Sequence, residues 1–497
     1  MTRRSILRIL RWAGLAAVAP IVWACNARSF EKPVLKPEAT FMKTFQQTIN
    51  RNVDMLFLVD DSSSMKLSQD NLRRNFPTFM TRLKEDPGLP NIHVAVVSSD
   101  MGAGDGSVGG CNTSKQGVFQ YTAKPPPVGS TDTPCTTNLD AGATYISDVG
   151  GVRNYGGEIE DAFSCIARLG QEGCGFEHQF AAILRALGAD GAPAPAENQG
   201  FLRPDAYLVI ILITNEDDCS ASPAVPLFDV GSNFNLASQL GPAKNFRCNE
   251  FGHICAGMHP NRNAPGNDMT QTVSYADCTS NDTEGYLLST VDTANRIKGL
   301  KAKASQVIVA AITGPSTPYV VHWIPPTSPD TTCGAASCPW PEISHSCGSV
   351  DAPGGFADPA VRINQFVDQF GDNGLKLPIC SDNFAGSLDR IAMLINETLQ
   401  PPCIAGTVAK KPGTQDDDCT VVSHTSNGLD GFVDAAVPSC ASGAPAPCWQ
   451  LAPGGACGGF TVNVSPDPAV PMSTIQNATV NCALCTPGIS DPARGCP

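Results

Sequence analysis

The sequence of 497 residues predicts an α/β protein, with a doubly wound, mostly parallel sheet that carries long disulfide-bearing insertions, and a small cysteine-rich carboxyl-terminal module. Apolar strand patterns alternate with helical patterns from about residue 50 to residue 400. The strands are continuous apolar runs, which is typical of a parallel sheet covered by helices on both faces. Residues 401–497 hold eight cysteines and no long periodic segment, so we expect disulfides to stabilise this part.

Four apolar runs predict the strands of the sheet. The run 207–213 has no polar alternation and therefore indicates a central strand, and the others are 55–59, 93–97 and 307–312. Apolar residues at helical spacing predict helices at about 72–83, 159–169, 180–187, 287–297, 361–370 and 384–399. In the first of these helices, Pro77 predicts a kink or a late start.

The charge of the chain restricts its partners. It has 33 Lys and Arg against 47 Asp and Glu, a net charge of -14. An acidic surface argues against binding to nucleic acid or to anionic lipid headgroups, because both carry negative charge. Cations are the more compatible partners.

The amino-terminal residues have the pattern of an export signal. Basic residues, among them Arg3 and Arg4, precede an apolar run at 12–24 that is too short to span a bilayer. The run ends in Val22-Trp23-Ala24-Cys25, which resembles a bacterial lipobox. The resemblance implies that a signal peptidase cuts before Cys25 and that a diacylglycerol is attached to its sulfur. Both a general secretory signal and a twin-arginine signal are compatible with these residues.

Lipidation of Cys25 defines how the start of the chain is organised. Residues 1–24 are then a signal peptide, and residues 25–49 are a lipidated linker that anchors the protein to a membrane without spanning it. Asn26 follows the cysteine where an Asp would favour the inner membrane in similar lipoproteins, so the outer membrane is favoured. A simple signal peptide with a chance cysteine is the alternative.

The cysteine count is consistent with one lipidated cysteine and an even number of cysteines in disulfides. Of 21 cysteines, 20 remain after Cys25, twelve of them in residues 26–402 and eight in the tail. Both numbers are even, so each part can close its own bridges, although the pairing cannot be deduced from sequence. Cys482 and Cys485 have the spacing of a thiol redox pair, so a periplasmic thiol oxidoreductase is one functional alternative.

One motif offers ligands for a metal ion. Asp60-Asp61-Ser62-Ser63-Ser64 follows the first strand and precedes a helix, and it matches the pattern D-x-S-x-S. Two hydroxyls and a carboxylate on a tight loop are hard oxygen ligands, which suit Mg²⁺. Ligands of open α/β sheets bind at the carboxyl ends of the strands, near a topological switch. A second match at 218–222 runs into Pro223 and an irregular stretch, so we favour the first.

With this motif in this context, residues 50–400 resemble a von Willebrand factor type A (VWA) domain. The resemblance implies a Rossmann-like doubly wound fold and a metal-ion-dependent adhesion site. In that site Ser62 and Ser64 would be direct ligands and Asp60 a water-mediated one. Mg²⁺ is the expected ion, with Ca²⁺ and Mn²⁺ as alternatives, and an Asp or Glu carboxylate from a protein partner would complete its coordination.

Two other loops depart from the family pattern. Glu177 stands where the family has a Thr, and Asn215 stands where it has an Asp, so Asp217 is a further candidate ligand. Glu177 would favour cation binding but would weaken the attraction for a partner's carboxylate. We therefore predict an adhesion or protein-binding function and no enzyme. The alternative is a structural envelope protein with a degenerate site in which Ser62 merely caps a helix.

Overall fold

A computed structural model describes residues 39–46, 51–85, 88–103, 108, 111, 114–125, 134–223, 225–228, 236–268, 270–324, 340–349, 352, 354–399, 403–426, 432–454, 459–465 and 476–497. The predicted signal peptide and Cys25 lie outside these residues. The chain divides into two compact units. We call residues 49–400 the main unit, and residues 401–497 together with the strand at 39–46 the C-terminal module.

The strands, in chain order, are β1 (Ala39–Gln46), β2 (Asn52–Val59), β3 (Asn91–Ser98), β4 (Ile146–Val149), β5 (Val152–Arg153), β6 (Tyr207–Ile213), β7 (His253–Cys255), β8 (Thr272–Tyr275), β9 (Cys278–Ser280), β10 (Val307–Thr313), β11 (Tyr319–Ile324), β12 (Trp340–Ile343), β13 (Cys347–Gly348), β14 (Phe356–Ala357), β15 (Gly374–Pro378), β16 (Cys403–Ile404), β17 (Cys419–Ser426), β18 (Phe432–Val437), β19 (Trp449–Gly454), β20 (Gly459–Val464) and β21 (Gln476–Leu484). The α-helices are α1 (Lys66–Leu83), α2 (Ile159–Ile166), α3 (Gln179–Leu187), α4 (Phe246–Gly252), α5 (Thr290–Lys298), α6 (Val361–Asp368) and α7 (Ala385–Leu399).

The main unit is built on a seven-stranded sheet of order β15-β10-β6-β2-β3-β4-β5. Its strands are parallel from β15 to β3, while β4 and β5 add an antiparallel edge. The predicted α/β class with a mostly parallel sheet is therefore confirmed. The four predicted strands are β2, β3, β6 and β10. The edge strands β4, β5 and β15 were not predicted, because they are short and partly exposed.

Two helical layers cover the sheet, as continuous apolar strands require. On β2, Met55, Phe57 and Val59 pack in a cluster with residues of α1, α2 and α7. Leu56 and Leu58 pack on the other face in a cluster with residues of α3, α5 and α6. Alternate residues of one strand thus enter different cores, which explains why the strand has no polar positions.

Two predicted helix starts need correction. Helix α1 runs through Pro77 from Lys66, so the late start is wrong; its buried face, including Phe76 and Phe79, keeps it helical around the proline. Helix α5 begins at Thr290, not at residue 287, because the Ser289 side chain accepts a hydrogen bond from the amide of Asp292 and so caps it.

The insertions of the main unit form small sheets and are cross-linked. Strands β12, β11 and β8 make a three-stranded antiparallel sheet, and β7–β9 and β13–β14 make two short pairs. The described disulfides of this unit are Cys111–Cys174, Cys135–Cys165, Cys219–Cys248, Cys255–Cys278 and Cys347–Cys380. None of these bridges leaves the unit.

The C-terminal module consists of a four-stranded sheet, β1-β21-β17-β18, and a three-stranded sheet, β16-β20-β19. Its described bridges are Cys419–Cys482, Cys440–Cys448 and Cys485–Cys496. Cys482 and Cys485 therefore bond to other cysteines, and a redox pair between them is wrong. Part of the expected linker is also corrected: residues 39–46 form β1, which pairs antiparallel with β21 and adds Phe41 to the edge of the module's core.

Within the described part of the chain, no helix is long and apolar enough to cross a membrane.

Candidate metal centre

The D-x-S-x-S loop lies at the switch point of the sheet. From β2 the chain passes to β3 on one side, whereas β6 occupies the other side. Val59 pairs with Ile213 in the register of β2 and β6, so Asp60 and Thr214 follow neighbouring strands at the same sheet edge. This is the edge where doubly wound sheets bind ligands.

Three predicted ligands form a chain of oxygen atoms. The Ser62 Oγ lies 3.1 Å from the Ser64 Oγ, and the Ser64 hydroxyl donates to the Asn215 Oδ1 at 3.2 Å. Ser62 precedes a short 3₁₀ turn, but its side chain makes no capping hydrogen bond there. The fold therefore gathers these oxygens from two loops, 151 residues apart in sequence, and does not use Ser62 as a cap.

Asp60 is fully buried behind this chain. Its Oδ1 accepts a hydrogen bond from the Ser62 amide at 2.8 Å, and its Oδ2 accepts one from the Thr214 hydroxyl at 2.8 Å. Burial raises the pKa of Asp60, although these bonds oppose the shift. The carboxylate is thus held in place, in a setting where a nearby cation would stabilise its charge.

Glu177 is buried at the same site. Its Oε2 accepts a hydrogen bond from the Ser99 hydroxyl at 2.7 Å, and its Oε1 accepts none from any donor among the described residues. The Glu177 carboxyl group is also close enough to Asp60 to lower the pKa of that residue through a side-chain hydrogen bond. Burial and the charges of Asp60 and Glu216 raise the pKa of Glu177 well above its ordinary value. A buried carboxyl oxygen without a partner is costly, and a bound cation would satisfy it.

Asp217, in contrast, has a structural role. Its Oδ1 accepts from the Ile363 and Asp218 amides, and its Oδ2 accepts from the Arg362 amide and contacts the His253 Nε2 at 2.9 Å. These four contacts occupy the acceptor positions of a carboxylate. Burial opposes ionisation, but the bonds to His253 and to the amides lower the pKa of Asp217. Asp217 thus caps α6 and does not join the oxygen chain.

The second D-x-S-x-S match also has a structural role. The Asp218 Oδ1 accepts from the Phe180 amide at 2.9 Å, and the Ser220 Oγ accepts from the Ala181 amide at 2.9 Å, so both side chains cap α3. Asp218 is further paired with the buried Arg362, whose Nη2 lies 3.0 Å from the Asp218 Oδ2. The acidic residues that follow β6 are therefore largely structural.

Sequence reasoning missed several residues of the site. Ser99 follows β3, whose end carries no motif, and Thr214 and Glu216 flank the predicted ligand Asn215 without being candidate ligands themselves. Lys115 belongs to a long insertion, and its Nζ forms an ion pair with the Asp61 Oδ2. Burial, together with the charge of Lys124, lowers the pKa of Lys115 to about 8. No pattern in the sequence connects this lysine to the site.

The donor set fits a hard divalent cation. It consists of hydroxyl, amide and carboxylate oxygens, which suit Mg²⁺, Mn²⁺ or Ca²⁺. The orphan oxygen of Glu177 and the raised pKa values of Asp60 and Glu177 mark a place that favours positive charge. No set of three or more His, Cys, Asp or Glu side chains with metal-binding geometry occurs among the described residues, so a metal here would depend on the hydroxyls and the amide.

No known protein-family model matches the sequence, and no curated protein matches it. Solved structures that resemble the chain include the pilus adhesin SpaC from Lactobacillus rhamnosus GG in an open conformation (14% identity, TM-score 0.30), a von Willebrand factor type A structure from Catenulispora acidiphila (10% identity, TM-score 0.27) and the pilus adhesin RrgA from Streptococcus pneumoniae (11% identity, TM-score 0.27). The matches cover 90%, 91% and 92% of this chain, respectively. This chain spans 41%, 67% and 60% of the length of the three matched chains.

Proposed function

We propose that the protein is a cell-envelope lipoprotein whose main unit binds a divalent cation and, through it, a protein partner that presents an Asp or Glu carboxylate. Mg²⁺ is the proposed ion, with Ca²⁺ and Mn²⁺ as alternatives. The function is adhesion or protein binding, without chemical transformation of the partner.

One observation carries this proposal: at the switch point of the sheet, the Ser64 hydroxyl lies within hydrogen-bonding distance of both the Ser62 Oγ and the Asn215 Oδ1. Ser62 and Ser64 would hold the ion, while Asp60 and Glu177 would supply negative charge from the buried side. The ion, when bound, offers an open coordination position to a carboxylate oxygen. The hydrogen bond from Thr214 keeps the Asp60 carboxylate oriented toward this loop.

Calorimetry and thermal melting test the cation site. A cation that binds only the folded protein stabilises it, by about 2.7 kcal/mol at a concentration of 100 Kd. We expect Mg²⁺ or Mn²⁺ to raise the melting temperature, and Ser62→Ala with Ser64→Ala to abolish the increase. Ser63→Ala, at an exposed serine of the same loop, is the matched control and should respond like the wild type. An equal response in the double variant would disprove the site.

The lipid anchor needs a separate test, because Cys25 lies outside the described residues. Mass spectrometry of the membrane-extracted protein should find a mature chain that begins at Cys25 and carries acyl groups. Cys25→Ser should release the protein from the membrane fraction. A mature chain that begins elsewhere and carries no lipid would contradict this part of the proposal.

A second candidate is a structural envelope protein whose site no longer binds metal. It is favoured by Asn215, since an amide oxygen is a weaker ligand than a carboxylate, and by the Lys115 ammonium already paired inside the site. The same calorimetric titration decides between the two: heat of binding from the wild type supports the first candidate, and none supports the second.

A further inference from the structure

We propose that Lys115 sets the charge of the candidate metal centre and thereby determines that the centre accepts an anionic partner together with its cation. This inference rests on the proposed function, since it concerns the same site. It assigns a specificity-determining role to a residue of the insertion between β3 and β4.

The position of Lys115 is fixed by the backbone. Its amide donates to the Asp100 carbonyl oxygen at 3.1 Å, and its carbonyl oxygen accepts from the Val118 amide at 2.9 Å. These bonds hold the residue beside the carboxyl end of β3. From there its side chain, 22% exposed, reaches the fully buried Asp61. The ion pair is thus an ordered part of the site.

Asp61, the partner of the lysine, is itself part of the D-x-S-x-S loop. It lies between Asp60 and Ser62 in the sequence, and its Oδ1 accepts a hydrogen bond from the Ser98 hydroxyl at 2.6 Å. Gly173 packs against it so closely that an added Cβ would lie 2.5 Å from the Asp61 Oδ1. The Asp61 carboxylate is therefore confined, and Lys115 is the cation paired with it.

The charge balance explains why a lysine is needed here. Asp60, Asp61 and Glu177 carry three negative charges when ionised, and the charge of Asp60 helps to raise the pKa of the neighbouring Glu216. A divalent cation cancels two of them. Without Lys115 the loaded centre would stay negative and would repel a partner's carboxylate. Lys115 supplies the further positive charge, and the charges of Glu177 and Asp60 both act on it.

This role has a consequence that a purely structural role does not have. Removing the lysine should affect the two ligands in opposite directions. The cation should bind more tightly, because a positive charge near it is lost. An acidic partner should bind more weakly, because the loaded centre is more negative. Simple damage to the loop would weaken both.

The experiment compares Lys115→Met with Lys115→Arg and with Lys84→Met, a control at a surface lysine paired with Glu160. Mn²⁺ binding is measured by calorimetry. Binding of the Mn²⁺-loaded protein to a labelled peptide with a single Glu is measured by fluorescence, with the Gln peptide as reference. We expect Lys115→Met to bind Mn²⁺ about tenfold more tightly and the Glu peptide about tenfold more weakly. The other two variants should stay within about threefold of the wild type.

A second variant keeps the test valid if Lys115→Met fails to fold. Asp61→Asn combined with Lys115→Met removes both partners and leaves the net charge unchanged, so its Mn²⁺ affinity should stay near that of the wild type. If the wild type binds no Mn²⁺, the proposed function itself fails. If the wild type binds Mn²⁺ but Lys115→Met changes neither affinity, or weakens both, only the role of Lys115 is overturned.

Discussion

The main unit and the C-terminal module are stabilised in different ways. In the described part of the chain, the sheet of the main unit is covered by apolar clusters of 36 and 25 buried residues, whereas the module has one cluster of 11. The module also includes two bridged cysteines, Cys419 and Cys482, within that small core. A core of this size supplies little stability by itself. Covalent links add stability because they reduce the entropy of the unfolded chain. We therefore expect disulfides to be essential for the module and supplementary for the main unit.

The largest effect should come from two disulfides with equal loops. Cys419–Cys482 in the module and Cys111–Cys174 in the main unit both join residues 63 apart. Chain entropy therefore assigns each about 4 kcal/mol. We expect replacement of both cysteines by serine to unfold the module, while the same change in the main unit lowers its stability but leaves it folded. Hydrogen exchange with mass spectrometry measures the protection of the backbone amides in each unit separately.

The contrast would be disproved by the opposite pattern. A module that keeps its protected amides without Cys419–Cys482 would show that its small core is sufficient. Replacing Cys440 and Cys448, which are only 8 residues apart, provides a control with a smaller entropic effect.

The main unit should instead be sensitive to its buried charges. Arg362 is fully buried, and it bonds to Asp218, to the Ser280 hydroxyl at 2.7 Å and to the Leu288 carbonyl oxygen at 2.6 Å. Arg362→Met leaves the Asp218 carboxylate buried without its cation, and we expect a loss of about 3–5 kcal/mol in the free energy of unfolding. Chemical denaturation measures it.

The matched control for Arg362 is a surface arginine. Arg296 forms an exposed ion pair with Asp292, four residues earlier on α5, and such pairs contribute little. Arg296→Met should leave the denaturation midpoint nearly unchanged. A similar loss in both variants would mean that burial of the charge does not matter.

A smaller effect should distinguish a structural residue from a metal ligand in the loop after β6. Asp217→Asn weakens the cap of α6 and the contact with His253, at an expected cost of about 1–2 kcal/mol. The structure gives Asp217 no part in the oxygen chain, so the increase of the melting temperature in Mn²⁺ should be as large as in the wild type. Loss of that increase would identify Asp217 as a ligand after all.

The strands and helices that could be predicted from the sequence are those determined by the pattern of their own residues. The strands at 207–213 and 307–312 are predictable because both of their faces are buried and every residue is apolar. The short edge strand β15 mixes exposed and buried positions, so it has no clear period. Strand β1 was missed because its partner, β21, lies more than 400 residues away, and only tertiary pairing makes residues 39–46 a strand.

The same distinction holds for the candidate site. Asp60, Ser62 and Ser64 are close in sequence, and a strand followed by a helix places them on one loop. Asp217 was a further candidate ligand, but its oxygens accept hydrogen bonds from the amides of α6 and contact the ring of His253. Lys115 reaches Asp61 from an insertion without a motif. Which side chains a loop receives from distant segments is decided by packing, which sequence spacing does not encode.

The smallest effect tests whether the two cores are equally well packed. Ile211 on β6 and Ile404 on β16 are both fully buried, so Ile→Val removes one methylene from a comparable environment in each unit. Tight packing predicts a cost of about 0.5–1.5 kcal/mol at either position, because the cavity is not refilled. Hydrogen exchange at equal temperature measures both in the oxidised protein. If Ile404→Val costs much less than Ile211→Val, the module's interior is loosely packed, and its disulfides compensate for poor packing as well as for small size. Equal costs would show that the module differs from the main unit only in how much core it has.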